Sequence, residues 1–141
     1  MQVLEIMSHN LFTIPHNSVI KEAALRMRDQ DIGILPVANG KKIVGTITDR
    51  DITIRAVANG NDPNITPVEN VMSKKVYACQ EDDNLKTAAQ IMEKHQVRRL
   101  LVKNGNGEYT GVLSLADLAR HHESEQFSLE VLEEVSHASV H

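Results

Sequence analysis

Gly45-Thr46-Ile47-Thr48-Asp49-Arg50-Asp51-Ile52 returns in altered form as Gly111-Val112-Leu113-Ser114-Leu115-Ala116-Asp117-Leu118. Each stretch reads as the last strand of a hairpin entering a helix, with a hydroxyl at the junction and a carboxylate one turn in. Outward from these stretches the chain lies over itself. At a shift of 65, Met7-Ser8 meets Met72-Ser73, Ala23-Ala24 meets Ala88-Ala89, Met27 meets Met92, and Asn39-Gly40 meets Asn104-Gly105. One extra residue in the second hairpin brings Gly45 onto Gly111 and Asp51 onto Asp117 at a shift of 66. A repeat of this length means two copies of one supersecondary unit rather than a single irregular domain.

Each copy predicts β-α-β-β-α, an α+β fold. In the first, Leu11–Ile14 is a strand stopped by Pro15, followed by a helix over 18–30 with Asn17 or Ser18 as cap. Ile20, Ala23, Ala24 and Met27 recur at helical spacing and mark its buried face. Strands over 34–38 and 43–48 flank Asn39-Gly40, the preferred chemistry of a tight hairpin turn. A second helix over 49–58 ends at Asn59-Gly60. Residues 61–67, polar and carrying two of the four prolines, read as the link. The second copy predicts strands over 76–78, 99–103 and 109–113 and helices over 84–95 and 114–122. The resulting divisions are 1–62 for the first repeat, 63–122 for the second, and 123–141 for an acidic tail. Phe127, Val131 and Val135 lie four apart in that tail and predict an amphipathic helix. One copy alone cannot bury both faces of its sheet. Two packed as a pseudo-twofold pair would, forming a cleft with two equivalent corners.

Composition excludes several classes of function. A chain of 141 residues with 41% hydrophobic and 24% charged residues suits an ordinary globular protein, and 3% aromatics without Trp implies an aliphatic core. A net charge of −4 argues against nucleic acid or an anionic membrane as partner. Cys79 is the one cysteine, so a Cys-rich metal site is excluded, and a small strand residue is its expected role. The first residues lack a basic n-region and a long apolar run, which predicts a cytoplasmic protein. There is no nucleophile with a base, no Gly-x-Gly-x-x-Gly and no Walker-type loop, so an enzyme is not expected.

These residues together resemble a tandem pair of CBS domains, the unit often called a Bateman module. The resemblance spans residues 1–122. It rests on the duplicated Gly-x-x-Thr/Ser-x-x-Asp, on Leu35-Pro36-Val37, and on His95-Gln96-Val97-Arg98-Arg99-Leu100. The wording around both motifs is similar to stand-alone bacterial stress- or hypoxia-response members. The resemblance implies a regulatory homodimer that needs no cofactor for chemistry. Its cleft would take AMP, ADP, ATP or another adenosyl compound and act on a separate protein effector. By position, Asp51 and Asp117 would take ribose hydroxyls, and Thr48 and Ser114 would meet phosphate. Backbone near Thr13-Ile14 and Tyr77-Ala78 would edge the base. Arg99 would reach phosphate with Arg98 beside it, Ile34 standing at the matching place in the first copy, and Arg50 would reach the cleft. Leu101 replaces a family proline, so the strand there is expected to run differently.

The same residues have plainer readings. Thr48-x-x-Asp51 and Ser114-x-x-Asp117 are also helix caps with an acid at the third position. That reading leaves a ligand-free scaffold dimer with a vestigial cleft as the alternative. His121-His122 and His137-x-x-x-His141 have spacings a metal could use, although no third ligand is evident and no metal is expected. Met7, Met27, Met72 and Met92 read as core.

Overall fold

The protein was obtained as a computed structural model whose described residues are 1–121. The expected tail helix with Phe127, Val131 and Val135, and the residues His122, His137 and His141, lie outside them. The first copy forms β1 (Ile14–Pro15), α1 (Ile20–Gln30), β2 (Ile34–Asn39), β3 (Lys42–Thr48) and α2 (Asp49–Asp51), which runs on as a π-helix over Ile52–Val57. The second forms β4 (Ala78–Gln80), α3 (Leu85–His95), β5 (Arg99–Lys103), β6 (Tyr109–Ser114) and α4 (Leu115–Ala119). Each sheet has three strands, the first two parallel and the last two antiparallel, so the fold is α+β with the expected β-α-β-β-α order.

The pairings explain where the strands depart from expectation. Ile14 pairs with Val37 and Cys79 with Val102, so Thr13 and Ala78 are register equivalents. Pro15 does not stop β1 but belongs to it, because a two-residue edge strand loses no ladder bond to a missing N–H. Leu101 leaves β5 in the same register as β2, contrary to expectation. Its N–H donates to Tyr77 O at 3.0 Å, a bond that Pro36 has no hydrogen to make. That extra bond accompanies the pairing of Ala78 in β4, whereas β1 begins one equivalent position later.

The start of α1 differs from expectation. α1 starts at Ile20 with Val19 extended before it, and neither Asn17 nor Ser18 caps it by side chain. Instead the N–H groups of Ile20 and Lys21 donate to Thr66 O and Pro63 O at 2.9 and 3.0 Å. The segment read as a link thus satisfies donors that every helix start leaves open. In α3 the side chain of Asn84 does this locally, accepting from Thr87 N at 2.8 Å. Both long helices end on a left-handed non-glycine residue, Asp31 at φ 52° and Gln96 at φ 54°. Along α1, Ile20, Ala23 and Met27 are buried but Ala24 is exposed, so the apolar stripe is narrower than in α3, where Ala88 and Ala89 are both buried.

The described residues divide into two compact units that draw on the sequence in an interleaved way: Phe12–Val76 forms one, and Met1–Leu11 with residues 77–121 forms the other. In the first, Val68 and Val71 join the core of Ile14, Ile20, Leu35, Val37 and Ile47. In the second, Val3 and Met7 join Met92, Leu100, Val102, Leu113 and Leu118. Thr46 and Ser73 exchange backbone hydrogen bonds of 2.9 and 2.8 Å, as Val112 and Ser8 do at 3.0 and 2.9 Å. This close approach is why glycine opens each repeated stretch: a Cβ at Gly45 would strike Ser73 O, and one at Gly111 would strike Ser8 O.

Candidate functional site

In the unit of Phe12–Val76, β3 ends at Thr48, which is extended (φ −115°, ψ 164°) and caps α2. Thr48 Oγ1 accepts from Asp51 N at 3.1 Å, and Thr48 N donates to Asp51 Oδ2 at 2.9 Å. This reciprocal arrangement is a capping box. Thr48 pairs with Ile34 across the strands, and Asp49 N donates to Gly33 O at 3.1 Å, which ties the helix start to the beginning of β2. Arg50 is exposed on the first turn, its N–H donating to Asp49 Oδ1 at 2.9 Å. Thr13 is exposed, and its carbonyl accepts from Arg26 at 2.6 Å. Ile14 is fully buried, so only its backbone can serve a ligand.

In the unit from Tyr77 onward the same corner is rebuilt with serine. Ser114 Oγ accepts from Asp117 N at 3.0 Å, and Ser114 N donates to Asp117 Oδ2 at 2.8 Å. Arg99 pairs with Ser114 across the strands, and Leu115 N donates to Arg98 O at 2.8 Å. Arg98 is exposed and Arg99 half-buried. Ala78 pairs with Leu101, two residues along β5 from Arg99, and Tyr77 stacks on His95 with ring centroids 4.4 Å apart. Within each unit, then, the structure brings the predicted hydroxyl and carboxylate together beside the predicted β2 or β5 position. Thr13 and Ile14 lie further along, beside Val37 rather than Ile34.

The geometry assigns the carboxylate oxygens. At both corners Oδ2 is turned inward to the cap N–H, and Oδ1 faces an arginine that the sequence reading missed. Asp51 Oδ1 lies 3.9 Å from Arg55 Nε, and Arg55 also donates to Val71 O and Met72 O at 3.3 and 3.1 Å. Asp117 Oδ1 is bonded by Arg120. A basic residue three or four positions after an acid on a helix was the available signal for both. Arg26 reaches Thr13 from another element, and no local pattern marks it. Each carboxylate keeps acceptor capacity on Oδ1, since an ionised carboxylate offers about four lone-pair sites.

Cys79 sits in β4 within the core, and burial, with Asp83 nearby, pushes its thiol up from the ordinary 9.0 to about 12. A thiol so protonated is a poor nucleophile. Among the described residues no three His, Cys, Asp or Glu side chains gather as metal ligands, and no helix is long and apolar enough to cross a membrane.

Comparison with known proteins agrees with this architecture. The model of the CBS domain matches residues 3–57 and again 68–124. The CBS domain-containing protein YhcV of Bacillus subtilis is 34% identical over 139 residues, covering 99% of this chain and 98% of that protein. A CBS domain protein of Pyrobaculum aerophilum, solved in complex with AMP, superposes with a TM-score of 0.79 at 27% identity, covering 92% of this chain and 99% of the other. Hypoxic Response Protein I, solved with two coordinated zinc ions, gives 0.72 at 31% identity and covers 86% of this chain and 98% of its own. With its repeated stretch, the domain matched twice along the chain and one relative aligned over nearly the full length of both proteins, the chain belongs to the CBS-domain family and carries two copies of the domain in tandem.

Proposed function

We propose that this protein is a regulatory sensor that binds an adenosyl ligand such as AMP at its strand-to-helix corners and acts, as a homodimer, on a separate effector protein. The observation that carries this reading is the duplicated corner: Thr48 with Asp51 and Ser114 with Asp117, each leaving Oδ1 of the carboxylate outside the capping box. Such an oxygen accepts from a ribose hydroxyl through a charge-assisted hydrogen bond. Thr48 and Ser114 stand near the phosphate; Arg50 supplies positive charge in the unit of Thr48, and Arg98 and Arg99 supply it in the unit of Ser114. Backbone at Thr13-Ile14 and Tyr77-Ala78 edges the base. The relative complexed with AMP supports the choice of ligand class. Regulation follows from differential affinity: a ligand shifts an equilibrium between two packings only by as much as it binds them unequally.

The capping box supports a second reading. Both motifs stabilise helix starts, which is also what a ligand-free scaffold would need. Thermal melting against AMP, ADP, ATP, GTP, NAD and S-adenosylmethionine separates the two. A ligand at 100 times its Kd stabilises the folded state by about 2.7 kcal/mol, a visible shift. A rise with adenosyl ligands is expected, and no rise with any of them establishes the scaffold.

A further inference from the structure

The two corners differ in what already holds the outward carboxylate oxygen. At Asp51 the neighbouring guanidinium is drawn aside: Arg55 spends its NH1 on the carbonyls of Val71 and Met72, and its Nε stays 3.9 Å from Oδ1. At Asp117 the guanidinium of Arg120 is bonded directly to Oδ1. The difference comes from the sequence. At the shift that aligns the corners, Arg120 matches Ile54 and Arg55 matches His121, so each copy places its arginine on a different step of the helix. The pairs are i,i+4 in a stretch that turns into a π-helix, and i,i+3 between α4 and its C-cap residue Arg120.

We infer that Arg120 is an internal competitor for the ligand's ribose at the Asp117 corner and so sets how readily that corner fills. This rests on the adenosyl-sensor reading above. With Oδ2 committed to Ser114 N–H, a ribose hydroxyl must approach Oδ1, where Arg120 already donates. Arg120 lies on the surface, its side chain 68% exposed, while Asp117 is only 13% exposed. Displacing an arginine so placed breaks a solvated ion pair, a weak interaction whose loss lowers affinity about two- to fivefold.

The test uses the full chain with AMP as probe, in calorimetric titration. An Asp51→Asn background isolates the Asp117 corner, and Arg120→Ala is then added. The expected result is a two- to fivefold gain in AMP affinity. With 2′,3′-dideoxy-AMP, which has no hydroxyl to compete, the same substitution should leave affinity unchanged. An equal gain with both nucleotides, or no gain with AMP, overturns the inference while leaving the sensor reading intact. A loss of AMP affinity also overturns it, and makes Arg120 a phosphate ligand instead. Absence of AMP binding in the wild type, Asp51→Asn and Arg120→Ala alike overturns both. Arg120→Lys gives a second check: a shorter point charge without the guanidinium fork should fall between wild type and alanine.

Discussion

Replacing both corner acids by asparagine separates ligand binding from helix capping. In Asp51→Asn/Asp117→Asn, the amide oxygen can still take the inward place and accept from Thr48 N and Ser114 N, now held at 2.9 and 2.8 Å. The amide nitrogen then faces outward, where it donates and cannot accept. Lost in stability are the charge near each helix start, about 0.3–1 kcal/mol apiece, and the exposed Arg120 pair, at most about 1 kcal/mol. The double variant should therefore lose about 1–3 kcal/mol and remain folded. Lost in binding is a charge-assisted bond of about 1.5–3 kcal/mol, or about ten- to a hundredfold in Kd for AMP. Urea denaturation measures the first quantity and calorimetric titration the second. Wild-type affinity in a folded double variant would show that Oδ1 does not receive the ribose. A stability loss above about 4 kcal/mol would refute the claim that the amide keeps the cap.

Other expectations follow from the packing. Gly111→Ala and Gly45→Ala should each destabilise by more than about 1 kcal/mol in chemical denaturation, because the new Cβ meets a backbone carbonyl that cannot swing away. Asp31→Gly should be stabilising by up to about 1 kcal/mol, since a left-handed backbone at φ 52° suits glycine. Asn84→Ala should cost about 1 kcal/mol by removing the bond to Thr87 N. The Cys79 thiol is raised from 9.0 to about 12 in the folded chain, so between those values the unfolded chain ionises first and stability falls as pH rises. A pH series of melts on wild type and Cys79→Ala should show that extra loss only in the wild type. Thiol-reactive dye at pH 8 should label the native protein far more slowly than the unfolded one.

The duplicated hydroxyl and carboxylate, the hairpin turn at Asn39-Gly40 and the order of strands and helices were legible in the sequence, because they rest on local signals. Cap chemistry, side-chain period and positive φ act within a few residues: Thr48 reaches Asp51 by one helical turn, and Gly40 adopts its φ of 63° at a tight turn. Tertiary structure decided what depends on partners distant in sequence. The start of α1 is satisfied by carbonyls at Pro63 and Thr66 rather than by Ser18, and the opening glycines make room for the backbone at Ser8 and Ser73. How open Oδ1 of each corner acid is likewise depended on where its arginine bonds, Arg55 on the carbonyls of Val71 and Met72 and Arg120 on Asp117 itself. A backbone donor or a guanidinium takes whichever acceptor the folded chain brings within about 3 Å, and that choice is made in space rather than along the sequence.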